Sequence, residues 1–207
     1  MDNVTIVTHP LVQRNLARLR DRNTERREFR RALADVAMFL GYEATRDLAT
    51  KSTTVQTPMA SCKARELKRG VLLAPILRAG LGMLDPVLQI IPDAAVGFIG
   101  LKRDEVSLEP VSYYSNVPDD LRNFDVILMD PMLATGGSAI AALDLLRERR
   151  ARRLRMINLL AAPEGIRNLR ERYPELPVYT AAIDKKLNGI GYIVPGLGDA
   201  GDRQFNA

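Results

Sequence analysis

Val126-Ile127-Leu128-Met129-Asp130-Pro131-Met132-Leu133-Ala134-Thr135-Gly136-Gly137-Ser138 is the stretch that decides how this chain folds. A run of apolar residues ended by an acid suits a parallel strand covered on both faces. The small residues that follow leave backbone N–H groups uncovered. A helix start then adds free donors and the positive end of a helix dipole, which together favour a bound phosphate. Helical spacing follows at once with Ile140, Leu143 and Leu146. Arg147, Arg149 and Arg150 crowd the far end, where cations are stable. The stretch has neither the Lys of a P-loop nor the Gly-x-Gly-x-x-Gly of a dinucleotide fold. An acid at the strand end, with the cradle beginning a few residues later, suits a sugar phosphate. Asp130 then accepts from ribose hydroxyls while the loop holds the 5′-phosphate. An ordinary strand–turn–helix is the plain alternative.

Outward from this stretch the pattern alternates strand and helix. Residues 71–74 read as a buried strand ended by Pro75-Ile76-Leu77-Arg78-Ala79-Gly80. Gly80-Leu81-Gly82 leads into a helix with Leu84, Val87, Leu88 and Ile91, and residues 95–99 form the next strand. Downstream, residues 156–160 read as a strand. Pro163 opens a helix in the position where proline is tolerated, and residues 178–183 make a further strand. This alternation predicts an α/β fold, a parallel sheet flanked by helices. Arg78 falls in a loop at a strand's carboxyl end, where open parallel sheets hold their ligands. An arginine there grips phosphate in a bidentate fork; a surface salt bridge is the other reading.

Residues 101–123 carry little pattern, and structureless loops over about 15 residues are commonly lids. Lys102, Arg103, Asp104 and Glu105 put charge at its root, and Val111-Ser112-Tyr113-Tyr114 makes one arm of a hairpin. Such a cover excludes water from a reaction; an exposed hairpin is the alternative. At the start, residues 1–9 suit a short edge strand, and Pro10 opens a helix with Val12, Leu16 and Leu19 on one face. His9 is the only histidine, so neither a His-based metal cluster nor a Ser-His-Asp triad can be assembled; a capping role suits it. A longer helix follows Thr24 as cap, with Glu25 in its first turn and Phe29, Leu33, Val36 and Leu40 as its buried stripe. Residues 41–44 either interrupt or continue it. Residues 53–57 pair in a hairpin with residues 59–64, and the polar run to Gly70 is loop.

At 207 residues and 46% hydrophobic the chain supports one domain with a proper core. Its parts are a helical region over about 10–50, a core over about 70–185 and a tail over about 186–207. No apolar run approaches the ~18 residues of a membrane span, and residues 1–10 show no secretion signal. The single cysteine, Cys62, excludes an internal disulfide and suits a reducing, cytoplasmic setting. A net charge of +5 fits an anionic substrate or a nucleic acid. Much of it comes from Arg14, Arg18, Arg20, Arg22, Arg26, Arg27, Arg30 and Arg31, read mainly as solvated helix faces.

The tail, Gly191-Tyr192-Ile193-Val194-Pro195-Gly196-Leu197-Gly198-Asp199-Ala200-Gly201-Asp202-Arg203, is the second informative stretch. Its glycines and proline argue against a regular helix or strand and for a loop whose backbone lies against a flat ligand. Exposed backbone N–H and C=O groups match the alternating acceptors and donor of a pyrimidine ring. Asp199 then faces a pyrophosphate or its metal. A tight, ordered terminal turn is the other reading.

Taken together, the chain resembles the uracil phosphoribosyltransferases, within the type I phosphoribosyltransferases. The resemblance runs through His9-Pro10-Leu11, Tyr42-Glu43-Ala44-Thr45, residues 75–83, Leu108-Glu109-Pro110, the 130–138 loop, Ala161-Ala162-Pro163-Glu164-Gly165 and the 191–203 tail. It implies transfer of the phosphoribosyl group of phosphoribosyl pyrophosphate (PRPP) to uracil N1, giving UMP and pyrophosphate. By position, Asp130 through Ser138 bind ribose and 5′-phosphate, and Arg78 and Arg103 engage pyrophosphate. Ile193 and Gly198 through Ala200 hold uracil largely by backbone groups, with Tyr192 beside the ring and Asp199 also near PRPP. Asp130, Arg103 and Asp199 are thus the expected catalytic residues. Magnesium arrives on PRPP, with no dedicated set of protein ligands. The resemblance also brings GTP as an activator of some members, and a homo-oligomer, dimer or higher. Pro131 after Asp130 favours the uracil branch over purine branches, which often carry two adjacent acids. Lys102 departs from the family, whose members commonly have an aromatic before Arg103. A regulator of this fold that binds RNA is the rival from another class. Few aromatics interleave the arginines, and the full tail is superfluous to an RNA binder, so no nucleic-acid partner is expected. A degenerate scaffold fits the intact loop and tail less well.

Overall fold

The computed structural model describes residues 3–103 and 110–206. In chain order the elements are β1 (Val4–Ile6), α1 (Pro10–Arg20), α2 (Arg26–Ala44), β2 (Thr50–Gln56), β3 (Ser61–Leu67), β4 (Gly70–Leu77) and α3 (Leu81–Ile90). There follow β5 (Ala95–Val96), β6 (Ile99–Arg103), β7 (Pro110–Ser115), β8 (Phe124–Met129), β9 (Met132–Leu133), α4 (Gly137–Glu148) and β10 (Arg153–Ala161). The chain closes with α5 (Pro163–Arg172), β11 (Val178–Ile183), β12 (Lys186–Leu187), β13 (Ile193–Val194) and α6 (Ala200–Phe205).

The main sheet runs β1-β11-β10-β8-β4-β6-β7, with β5 and β9 as short additions. Every pairing in it is parallel except β6 with β7. The chain goes outward from β4 to β6 and β7, then returns to β8 on the other side of β4 and continues to β10 and β11. The order therefore reverses between β4 and β8. Loops leaving the carboxyl ends of these two neighbours diverge to opposite faces and open a crevice, the usual ligand position in such sheets.

Both faces of the sheet are covered, and residue parity assigns each side chain to one of them. Leu73, Ile127, Met129 and Ile157 pack with α1, α2 and α3. Leu72, Val126, Leu128 and Met156 pack with α4 and α5. The expected stripe of α2, Phe29, Leu33, Val36 and Leu40, is fully buried against the first of these layers. Arg155 is a buried charge on β10: it donates to the Ala44 carbonyl and pairs with Asp47 at 2.5 Å, so it satisfies the carboxyl end of α2.

Most expected elements are present, with corrected bounds. Helix α2 is capped at Glu25, not Thr24, whose hydroxyl instead donates to the Arg18 carbonyl at 2.6 Å. Residues 41–44 continue the helix. The hairpin of β2 and β3 reaches Leu67, so the polar run before Gly70 is mostly strand; sheet pairing overrode its polarity. Strand β4 runs through Pro75 to Leu77; Pro75 falls where pairing with β5 has ended and pairing with β6 has not begun, a gap that tolerates a residue lacking N–H. The 95–99 strand is split into β5 and the start of β6. The tail holds a short strand and the helix α6, where a loop alone was expected. His9 caps α1, its Nδ1 accepting from the Leu11 amide at 3.2 Å. Most of the N-terminal arginines are exposed, as solvated faces should be, but Arg20 turns inward and Arg30 donates to the Gln204 carbonyl at 2.7 Å. The β6–β7 pair supplies the expected arm, and residues 104–109, with Asp104 and Glu105 of the expected lid root, lie outside the described residues.

Ile127 is fully buried at the centre of the sheet. Ile127→Ala should lower stability by about 2–5 kcal/mol, measured by urea unfolding, since the surrounding strands cannot collapse into the space.

Candidate active site

Three loops meet at the crevice between β4 and β8. The first follows β8. Asp130 ends the strand, and Pro131 places its carbonyl to accept from the Leu159 and Leu160 amides at 2.9 and 3.1 Å. Met132 and Leu133 then pair with Leu160 and Ala161 as β9, so the segment after Asp130 is tied to β10 rather than loose. Gly136 caps α4 with φ of 86°, in the region open to glycine, and lies against the Gly165 carbonyl. Asn168 donates to the Thr135 carbonyl at 3.0 Å. The turn Thr135–Gly137 is therefore shaped by α5 from behind, and Ser138 at the start of α4 is exposed.

The second loop follows β4 and carries Arg78, which is exposed and, among the described residues, paired with no carboxylate. It is pressed against the end of β8. A Cβ on Gly80 would stand 2.6 Å from the Met129 carbonyl, so only glycine lets this loop sit beside Asp130. The third is the tail. It crosses the crevice, and a cavity of about 310 Å3 opens there. Met132 and Ala134 form one wall; Tyr192, Ile193, Gly198, Asp199 and Ala200 form the other. Two segments sixty residues apart thus share one cavity, which Asp130 and residues Thr135 to Ser138 do not line. Ile190 also lines it, and nothing in the sequence singled that residue out.

The tail is anchored by side chains that sequence reasoning missed. Gln204 is fully buried and donates to the Ala79 and Ala200 carbonyls at 3.1 and 2.8 Å, joining α6 to the Arg78 loop. The Arg203 guanidinium donates to the carbonyls of Leu19, Leu197 and Asp21 and stacks 4.3 Å from the Phe29 ring. Burial shifts it below the ordinary arginine range. Asp199 caps α6, accepting from the Asp202 amide at 2.9 Å. Arg103 ends β6, and its side chain lies outside the described residues. Arg78 flanks the cavity without lining it.

Asp130 is only partly exposed, at the floor of the crevice. Burial pushes its carboxyl up from 3.8 to about 7; the Met132 amide opposes the rise, and the Asp199 carboxylate adds to it. Two carboxylates facing one crevice are hard oxygen donors that suit a divalent cation whose remaining ligands come from phosphate and water. Among the described residues no group of three or more His, Cys, Asp or Glu stands together, so a cation would depend on such outside ligands.

The reversal of strand order and the loops gathered over it define a protein of the phosphoribosyltransferase fold. A hypoxanthine phosphoribosyltransferase from Staphylococcus aureus has that fold at a TM-score of 0.51 and 14% identity, over 76% of each chain. The family model for uracil phosphoribosyltransferase matches residues 6–207. A uracil phosphoribosyltransferase from Campylobacter curvus is 50% identical over 206 residues, covering 100% of this chain and 99% of its own. A solved structure of an Aquifex aeolicus protein matches at a TM-score of 0.92 and 36% identity, over 98% of this chain and 97% of the other. The chain belongs to the uracil phosphoribosyltransferase family.

A raised carboxyl pKa has a definite consequence for stability. Between the unfolded value of 3.8 and the folded value of about 7, the unfolded chain releases the Asp130 proton first. Stability therefore falls as pH rises across that window and levels off above it. Full desolvation would make this roughly 4 kcal/mol, and partial exposure reduces it to on the order of 1–2 kcal/mol. Asp130→Asn should be more stable than the parent by that amount at pH 8, with the gap closing near pH 4, measured by denaturant unfolding at both pH values.

Proposed function

We propose that this chain transfers the phosphoribosyl group of PRPP to N1 of uracil, releasing pyrophosphate and forming UMP, with residues 1–207 acting as one catalytic domain. One observation carries the reading above the others: Met132 and Ala134, from the stretch that follows Asp130, wall the same cavity as the glycine-bearing tail, and Asp130 is close enough to feel the Asp199 carboxylate. A planar base on the tail side and a ribose on the Asp130 side meet within it.

In this reading the turn Thr135–Ser138 and the start of α4 hold the 5′-phosphate through backbone N–H groups. Ionised Asp130 accepts from the ribose hydroxyls and fixes the ring, while Pro131, Met132 and Leu133 set its height over the sheet. The Arg78 and Arg103 guanidiniums grip the pyrophosphate. Asp130 and Asp199 would help hold a magnesium ion carried on PRPP, which would neutralise charge on the leaving group. The base lies between Tyr192, Ile193 and the Gly198–Ala200 backbone, whose N–H and C=O groups read its edge. N1 then stands in line with C1′, so the C1′–O bond breaks with its electron pair leaving on pyrophosphate as the N1–C1′ bond forms, and the N1 proton passes to water. Positioning and charge placement account for the rate, and no side-chain nucleophile is required. Asp199 keeps one carboxylate oxygen for the ligand while the other caps α6.

The family also brings a homo-oligomer and activation by GTP into this proposal, and a cytoplasmic setting accords with the lone cysteine, Cys62, an exposed free thiol. Among the described residues no helix is long and apolar enough to cross a membrane.

Incubation with PRPP, magnesium and labelled uracil should yield labelled UMP. The absence of product, together with salt-sensitive RNA binding, would overturn the assignment. Asp130→Asn should lower kcat/KM for PRPP by on the order of 100-fold, because an amide loses charge-assisted bonds to two hydroxyls. In the parent, kcat/KM for PRPP should fall as pH drops below about 7, where Asp130 takes up its proton.

Gly198→Val tests the base wall. Gly198 has φ of 80°, and the nearest atom to a Cβ there is the Arg203 Cδ at 3.7 Å, so the added side chain points into the ligand's space rather than into protein. The left-handed backbone costs about 1–2 kcal/mol of stability for a branched residue. Uracil KM should rise by about tenfold or more with PRPP KM nearly unchanged; steady-state kinetics on both substrates decide it.

A further inference from the structure

The tail loop between β13 and α6 carries glycines at its turning points, and Leu197 is its one side chain buried in the core. A segment so poor in side chains loses much entropy on ordering and needs an external hold. Beside the Arg203 bond to Leu197, that hold is an ion pair. Arg20, the last residue of α1, donates from its two terminal nitrogens to both carboxylate oxygens of Asp184, at 2.8 and 2.5 Å. The same Arg20 nitrogen that makes the longer bond also donates to the Gly196 carbonyl at 2.9 Å. Asp184 accepts from the Gly196 amide at 2.8 Å. Both backbone polar groups of Gly196 are thus held by one fork-and-carboxylate unit. Asp184 is buried, its side chain only 5% exposed.

Gly196 is also a residue of this loop that allows no substitute. Its φ is 63°, and a Cβ there would lie 2.1 Å from the Ile193 carbonyl. The clamp therefore grips the loop at its tightest point, between Ile193 on one side and Gly198, Asp199 and Ala200 on the other. All four line the cavity between tail and central loop. Neither Arg20 nor Asp184 lines it. Their position has a further use: Asp184 directly follows β11 and its amide donates to the Ala161 carbonyl at 2.8 Å, so the clamp refers the tail to the rigid sheet.

We propose that Arg20 and Asp184 are positioning residues for base recognition: as a pair they hold the Gly196 peptide so that the backbone of the tail presents its donors and acceptors to the nucleobase at a set depth. The proposal rests on the reading of this cavity as the base site. It assigns a role to one of the N-terminal arginines that composition alone places on a solvated face. A guanidinium is needed because one planar fork must serve a carboxylate and a carbonyl together, which a lysine ammonium cannot do.

The test uses Arg20→Lys and Asp184→Asn in the full chain, assayed at a temperature well below unfolding. Neither change removes bulk, and Asp184→Asn keeps an acceptor for the Gly196 amide. Uracil KM should rise by about tenfold in each, while PRPP KM stays within about twofold. Arg20→Lys with Asp184→Asn should cost little more than either alone, as expected of residues acting as one unit. Amide hydrogen exchange of the peptide covering residues 193–200 should quicken in both variants without ligand. Unchanged uracil KM and unchanged exchange overturn the proposal. So does a parallel rise of both KM values that tracks a fall in Tm, the mark of a merely structural pair. If the parent makes no UMP, the functional reading falls, and exchange alone then decides whether the pair holds the loop.

Discussion

Two neighbouring parallel strands whose following loops diverge are the constraint on which the rest of this protein depends. Because β4 and β8 point the same way, their carboxyl ends lie together, and because the chain reverses between them, no connection crosses the gap. Everything polar in the site is placed relative to that gap. Arg78 reaches it from β4, Asp130 from β8, and the tail closes over it. Close backbone approach sustains the arrangement: Gly80 against the Met129 carbonyl and Gly165 against the Ala134 carbonyl leave no room for a Cβ. These contacts bring loops to within reach of one ligand without spending side chains on packing.

The site carries an energetic tension of a kind common where chemistry is done. Asp130 lies where desolvation resists its ionisation, and Asp199 adds to that resistance. In the proposed reading, ribose hydroxyls that donate to Asp130 would relieve the first effect, and a cation carried with the pyrophosphate would relieve the second. The surrounding scaffold tolerates this because the sheet beneath Asp130 is dry and fully paired, with Ile127, Leu128 and Met129 completely buried.

The helical layer at the start of the chain contributes more than a cover for one face of the sheet. Through Arg20, Arg30 and the carbonyls at the end of α1 that receive Arg203, it holds the opposite end of the chain. Charged residues were used here because the partners are backbone groups of a tail that has few side chains to offer. A hydrogen-bonded fork fixes orientation where an apolar contact would fix only proximity.

The sequence by itself determined the alternation of strand and helix from residue 71 to 183, the buried stripe of α2, the acid-to-glycine stretch after β8 and the family resemblance. These are local or periodic signals, written in side-chain polarity and in the conformational freedom of glycine. Element bounds at Thr24, Gly70, Pro75 and in the tail were misread, since cap geometry and strand pairing depend on partners distant in the chain. Only the tertiary structure decided that the tail and the central loop wall one cavity, that Asp130 is held near neutrality, and that Gln204, Arg203 and Arg20 serve the tail rather than solvent. Each of those facts is a matter of what stands within a few ångströms across a long loop of chain. Desolvation, ion pairing and close backbone approach have no signature in composition or period, because they exist only once the chain has closed on itself.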